Sequence, residues 1–447
     1  MSLLRRLSNL VLVTIGLLSA LLVGCGRTPE TTSPPTETTV ATPAALSPAP
    51  TPTISTVVDT ESNIRLTLWL SWDRDELSVL QDLIEAFQSE NPGLTFSIRY
   101  LPEEDLLAAF QMAQQNDPHP ALLFGPSSWG MPLLQEGLIL GLNELVDAEL
   151  MTNVSMLGWS QVMLNEQIVG LPLELQGMVL YRNASLAPDA PRSLSEWVET
   201  ATDRLNSGLP ASALDLRFET TTSQLAACGE SLFLSDGSFG FSGEAGVCWL
   251  ELLTEISQTG RVSFGADVQQ VFASGDAAWW IGSTNEIRSL SGEVGEESLA
   301  IDSWPEVDET GEVLAGYVWS ESLFISQMGN PGELEAAWRF SRFLLMPSSQ
   351  RAFSDPASAA HIPVLDALDL TDPLMASASA AVQRGVPFPV RMDVEAFIQP
   401  LEQAVFDVLV QGRAPIDAIE AAEESIEFSL SILAVGGELP EETSESP

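Results

Sequence analysis

Residues 64–145 read IRLTLWLSWDRDELSVLQDLIEAFQSENPGLTFSIRYLPEEDLLAAFQMAQQNDPHPALLFGPSSWGMPLLQEGLILGLNEL, three strand-then-helix units in succession. Ile64 to Leu70 alternates apolar residues at period two, the pattern of a half-buried strand. Leu77, Leu80, Leu83, Ile84 and Phe87 then fall at helical spacing until Asn91-Pro92-Gly93 stops the helix. Leu94, Phe96, Ile98 and Tyr100 alternate again, and Leu106, Leu107, Phe110 and Ala113 form a second helical stripe that Asp117-Pro118 breaks. Ala121 to Phe124 is a short apolar run suited to a central parallel strand, followed by a turn at 125–128 and a third helix that Gly137 closes. Alternating strands and helices imply a parallel sheet with helices on its faces. Such sheets take ligands at the carboxyl ends of their strands, here Ser71-Trp72-Asp73 and Gly125 to Trp129.

A strand carrying Trp69, a helix ending in FQSENPG, and ALLFGPSSW followed by LLQEGLILGL resemble the extracellular solute-binding proteins of the maltose-binding type, the capture subunits of ABC importers. Later segments extend the resemblance. Val169 to Glu174 looks like the family's Pro-containing crossing between lobes, and the next strand ends in Tyr181 and Asn183, with Ala184 where the family usually has lysine. Ser193-Leu194-Ser195-Glu196 starts a helix with Ser193 as N-cap and a capping-box glutamate. Phe272 to Gly282 is similar to the helix, turn and strand that lead back to the first lobe. AAWRFSRFLLMPSSQ, residues 336–350, follows an Asn330-Pro331 helix start and is the most specific match outside the opening stretch.

The amino terminus reads as a targeting device. Arg5 and Arg6 precede an uncharged apolar run from Leu7 to Val23, slightly short of the ~20 residues that span a bilayer, and Leu22-Val23-Gly24-Cys25 resembles a lipobox. The expectation is export with Cys25 lipidated on the outer face of the cell membrane; an ordinary signal peptide or a marginal membrane helix is the alternative. The segment that follows, up to residue 62, is rich in Thr, Pro, Ser and Ala, has almost no large apolar residues, and reads as a disordered tether or a glycosylated stalk.

The resemblance implies an α/β, two-lobed periplasmic-binding-protein fold (type II), each lobe a mainly parallel sheet flanked by helices, with the ligand cleft at the hinge. The boundaries expected are residues 1–24 for the lipoprotein signal and 25–62 for the tether. An N-lobe of 63–173 plus 284–329 and a C-lobe of 174–283 plus 330–437 follow, with an acidic tail at 438–447.

Eighteen basic residues, all arginine, stand against 62 acids, a net charge of −44. That balance argues against nucleic acid or an anionic membrane face as partner and fits a solvated acidic surface or a cationic ligand. With Cys25 lipidated, Cys228 and Cys248 remain as a disulfide pair or as two buried thiols.

Enzyme chemistry is poorly represented. His119 and His361 are far apart, each near proline, and read as turn or surface residues. There is no Gly-x-Ser-x-Gly elbow, no Asp-x-Asp-x-Asp-Gly loop, and without lysine no P-loop or Schiff base. A carboxylate pair for glycoside hydrolysis is the rival that abundant acids leave open, and a sensor or adhesion lipoprotein on the same fold is a third class. The expected protein is a non-enzymatic monomer without cofactor or metal. It captures a sugar or oligosaccharide by hinge closure and delivers it to an ABC permease.

Candidate ligand contacts follow from loop positions and the resemblance. Trp72, Asp73 and Arg74 follow the first strand, and Ser128 and Trp129 the third. Glu174 and Gln176 lie at the first lobe crossing, Asn285 after the second, and Tyr317 and Trp319 on a later loop. Trp129 and Trp319 read either as stacking surfaces or as core, and Asp73 with Arg74 either as a ligand clamp or as a surface ion pair. Trp279 and Trp280 point to opposite faces of one strand, so only one of them can reach a cleft.

Overall fold

The computed structural model describes residues 64–113, 119–234, 236–263, 267–391 and 393–436. The leader with Cys25, the tether, the Asp117-Pro118 break and the acidic tail lie outside the described residues. Strand β1 (Ile64–Leu70) is followed by helix α1 (Arg74–Glu90), β2 (Leu94–Tyr100), helix α2 (Glu103–Ala113) and β3 (Leu122–Pro126). β1 lies between β2 and β3 and is parallel to both. Leu80, Leu83, Ile84 and Phe87 of α1 are buried, as their spacing predicts. Asp73 caps the helix in a reciprocal box: its carboxylate accepts from the backbone N–H of Asp75 and Glu76, and Glu76 accepts from Asp73 N at 2.6 Å.

The hairpin β4 (Met163–Leu164) and β5 (Gln167–Ile168) turns through Asn165 and Glu166 at φ 50° and 65°, the two left-handed positions that a tight two-residue hairpin loop demands. The remaining strands are β6 (Leu171–Asn183), β7 (Ser212–Asp215), β8 (Gly260–Ser263), β9 (Trp279–Ser283), β10 (Leu299–Asp302), β11 (Tyr317–Ile325), β12 (Ile362–Pro363) and β13 (Val386–Pro387). The main path runs β2-β1-β3-β11-β6-β9-β7-β8. Its two flanks are parallel, β2-β1-β3 and β9-β7-β8, whereas the joints through β11 and β6 are antiparallel.

Strand β6 serves both halves. Residues 171–177 pair with β11 and residues 178–182 with β9, and all 13 residues except Gln176 are buried. At about 3.3 Å per residue this one strand reaches roughly 40 Å, far enough to belong to two layers of core. Two apolar clusters result, one built on Leu66, Leu68, Phe124 and Phe324, the other on Trp197, Trp249, Phe241 and Phe397. Trp279 and Trp280, on opposite faces of β9, enter one cluster each, both buried.

Two differences from the sequence reading are instructive. Leu334, Phe340, Leu344, Phe353 and Met375 pack into the first cluster, although the sequence boundary gives 330–437 to the second lobe. Helical periodicity identifies a buried face but not the sheet that buries it. At the 194–206 helix, Ser193 caps Glu196 N, but the Glu196 carboxylate bonds Arg192 rather than closing the box. Cys228 and Cys248, at the end of one helical segment and near the start of the next, are joined by a disulfide with Cα atoms 6.0 Å apart. Among the described residues no helix is long and apolar enough to cross a membrane.

Candidate functional site

A cavity of about 1450 Å³ opens where the β1–α1 turn, the end of β3, the middle of β6, the turn after β9, strand β11 and the 359–362, 388–391 and 393–395 segments converge. Each contribution follows from topology: β1 and β3 are parallel and adjacent, so their carboxyl ends emerge side by side, while β6 and β11 run through the middle.

Of the residues selected from the sequence, Trp72, Asp73, Ser128, Glu174, Gln176, Asn285 and Trp319 line this cavity together. Arg74 is an exposed first-turn residue of α1 and is not among the lining residues. Trp129 lies over Gly125, where a Cβ would come within 2.3 Å of its ring, and packs against the first cluster. Tyr317 is buried beneath Phe388, with ring centroids 5.2 Å apart, and stacks on Phe218. Trp72 is itself buried; its ring meets Phe124, Phe353 and His361 edge to face.

The polar wall is a connected network. Trp319 Nε1 donates to Gln176 Oε1 at 2.5 Å, and Gln176 Nε2 donates to Glu174 Oε1. The other Glu174 oxygen lies 2.8 Å from His361 Nδ1, within ion-pairing distance though off the hydrogen-bond direction. His361 Nε2 lies 3.1 Å from Glu76 Oε1. Glu321, opposite Glu174 in the β11–β6 register, accepts from Trp72 Nε1 at 2.5 Å. Arg288 pairs with Asp73 and donates to the Ser358 carbonyl.

Desolvation in this wall, reinforced by the Glu174 charge, pushes the Glu321 carboxyl up to about 8. Burial opposes a charge on His361, but Glu174 and Glu76 together outweigh it and raise the imidazole to about 10. The half-buried rings of Trp319 and Phe388 offer apolar surface on the same cavity. Aromatic faces beside fixed carboxylates and amides suit a polyhydroxylated ligand, whose C–H faces stack while its hydroxyls bond.

Glu76, Arg288, Glu321, His361 and Phe388 are lining residues that the sequence reading did not select. His361, read as a turn or surface residue, is only 6% exposed. Its carboxylate partners lie 285 and 187 positions away, so no local spacing could signal them. Glu321 was within reach, because it stands two residues after Trp319 on the same strand and therefore shares its face. The acid pair needed for glycoside hydrolysis must flank the scissile bond from opposite sides. Glu174 and Glu321, neighbours on one sheet, do not form such a pair between themselves. Among the described residues no group of His, Cys, Asp and Glu is placed to hold a metal ion.

Residues 82–382 match the family described as bacterial extracellular solute-binding protein. No curated protein sequence matches the chain significantly. Among solved structures, the maltose/maltodextrin-binding domain from Bdellovibrio bacteriovorus bound to maltotriose aligns with TM-score 0.63 at 19% identity, covering 82% of this chain and 100% of that one. The extracellular solute-binding protein from Staphylococcus aureus in complex with maltose aligns with TM-score 0.72 at 15% identity, covering 83% and 98%. The cyclic alpha-maltosyl-1,6-maltose binding protein from Arthrobacter globiformis gives TM-score 0.71 at 16% identity, covering 83% and 99%. At these identities the likeness is one of fold: two-lobed α/β binding proteins.

Proposed function

We infer the function from one premise: this chain belongs to the family of bacterial extracellular solute-binding proteins, which the match over residues 82–382 establishes. Its members are exported binding proteins. The solute we propose is a neutral sugar, most specifically a short oligosaccharide, held in the 1450 Å³ cavity and passed to an ABC permease. The observation that carries this reading is the wall itself. Trp319 and Phe388 present ring surface beside Gln176, Glu174 and Asn285, acceptors and donors that match sugar hydroxyls. The sugar-bound solved structures of the same fold support the choice of class.

The lobes would be the bodies around the two apolar clusters, hinged where β6 and β11 cross between them. A ligand touching both would favour the closed form by its differential affinity. We further propose that Cys25 is lipidated and anchors the chain to the outer face of the membrane through the Thr/Pro-rich tether, and that the protein binds its solute without transforming it.

The test is a thermal-shift and calorimetric screen of the full chain against maltotriose, maltotetraose, polyamines and amino acids. A ligand present at ~100 times its dissociation constant adds about 2.7 kcal/mol, and the oligosaccharides are expected to give that shift and to be recovered intact. A shift with spermidine and none with any sugar would overturn the ligand class. Cleaved sugar would overturn the binding role.

A further inference from the structure

His361 sits at the centre of the polar wall with a carboxylate oxygen at each ring nitrogen, Glu174 Oε2 at 2.8 Å from Nδ1 and Glu76 Oε1 at 3.1 Å from Nε2. A neutral imidazole carries one N–H and one lone pair, so it would set a lone pair against one of the two carboxylates; only the imidazolium meets both with positive charge, through a hydrogen bond at Nε2 and, off the hydrogen-bond direction, an ion pair at Nδ1. The packing agrees. The ring of Phe353 stacks on His361 at 5.3 Å and 17°, a face that favours a cation, and Trp72 closes the edge at 5.3 Å. The backbone enters this site through Ala360 at φ 58°, a left-handed conformation that an alanine adopts only when its surroundings impose it.

The titratable groups around the ring are Glu76 from α1 and Glu174 from β6, each at a ring nitrogen, and Glu321 from β11 beside Glu174. Farther out, Arg288 is bonded to the Ser358 carbonyl and paired with Asp73. We propose that His361 is an imidazolium that positions the cavity's polar wall: it anchors Glu174, and through Glu174 it orients the Gln176 amide and the Trp319 indole.

The wiring accounts for direction as well as proximity. Glu174 is acceptor-only, so its contact with Gln176 must use the amide nitrogen. The Gln176 carbonyl is thereby turned to the indole N–H of Trp319. Flip or release that amide, and the indole loses the bond that sets its ring plane. That this wall meets a carbohydrate rests on the function proposed above; the charge of the ring and its grip on Glu174 do not.

The chain contains two histidines, so histidine-specific nitrogen labelling of the full-length protein gives two imidazole systems, and His119→Gln assigns them. Both ring nitrogens of His361 are expected to be protonated at pH 7.5. Glu76→Gln keeps a residue that can close the capping box but removes one of the two charges, and it is expected to lower the His361 titration by about one pH unit or more. His361→Gln is expected to move the Trp319 indole N–H resonance and to weaken maltotriose binding by about tenfold.

An unprotonated His361 nitrogen at pH 7.5, or a titration indifferent to Glu76→Gln, overturns the proposal. So does a Trp319 resonance unmoved in a folded His361→Gln. If the wild-type chain does not bind maltotriose, the carbohydrate reading fails while the nitrogen spectra still decide the charge. If His361→Gln does not fold, Glu76→Gln carries the test on both the histidine and the Trp319 signals.

Discussion

Asp73 and His361 mark the two extremes of what one residue's neighbourhood discloses. Asp73 stands three positions before Glu76, and the reciprocal cap between them is local chemistry. His361 acquires its character from Glu76 and Glu174, which only folding brings to it. That character makes stability depend on pH in a definite sense. The imidazole rises from an ordinary 6.5 to about 10, so the folded chain holds a proton that the unfolded chain gives up; its contribution is complete below about pH 6.5 and is lost as pH rises through 10. The Glu321 carboxyl rises from 4.5 to about 8, which has the same sign: its contribution is complete below about pH 4.5 and is lost as pH rises through 8. With no lysine, Cys228 and Cys248 bonded, and Tyr181 and Tyr317 shifted upward by burial, few other groups titrate between pH 6 and 9. The melting temperature is therefore expected to fall steadily over that interval, measured by calorimetry in buffers of constant ionic strength. Glu321→Gln, which keeps an acceptor for the Trp72 indole, should flatten the lower part of the decline. A melting temperature constant from pH 6 to 9 would refute the account.

The elements divide in a similar way between what periodicity states and what it omits. β1, α1, β2 and β3 were legible because period two and period 3.6 alternate in 64–124 with turn residues between them. Trp72, Asp73 and Ser128 were legible because the carboxyl ends of the parallel strands β1 and β3 share one edge, whereas Glu174, Gln176 and Trp319 stand within the antiparallel β6 and β11 and were reached through the family resemblance. Periodicity did not state that β6 runs on through both halves, since a fully buried strand has no alternation to read. Nor could it place the 331–344 helix against β1's side of the molecule. Between the 222–228 and 244–257 helical segments, the Cys228–Cys248 bond closes a span of 20 residues rich in Gly and Ser. A loop of that length loses about 3 kcal/mol of unfolded-state freedom when closed, in the chain-entropy account. Cys228→Ser with Cys248→Ser is expected to destabilise the protein by about that amount, read from urea unfolding, while the histidine spectra of the cavity wall stay as in the wild type. A loss well under 1 kcal/mol would mean that the span is held by its packing, for which the ring pairs Phe239–Phe241 and Phe233–Phe397 are the candidates.

At the scale of the whole molecule the governing quantity is charge. A chain with 62 acids and 18 arginines repels itself in every compact state, and most of its arginines near acids, such as Arg192 with Glu196, form exposed pairs of small worth. The screening length is about 30 Å at 0.01 M salt, comparable with the dimensions of a domain, and about 8 Å at 0.15 M, comparable with the spacing of neighbouring side chains. Salt should therefore stabilise this protein over that range, where for a chain of balanced charge it would do little. The cavity sharpens the point, because Glu174 and Glu76 share one wall and their mutual repulsion costs more when unscreened. A neutral sugar adds hydroxyl donors there without adding charge, so its thermal shift should survive the change of salt, whereas the shift given by a bound cation should shrink as salt competes. The measurement is the melting temperature of the full chain in sodium, potassium and choline chloride from 0.01 to 0.15 M, with and without maltotriose. A rise of several degrees that is equal for the three salts is the expected outcome. A rise confined to one cation would mean a specific ion site, and a fall would mean that the acidic surface is not what limits stability.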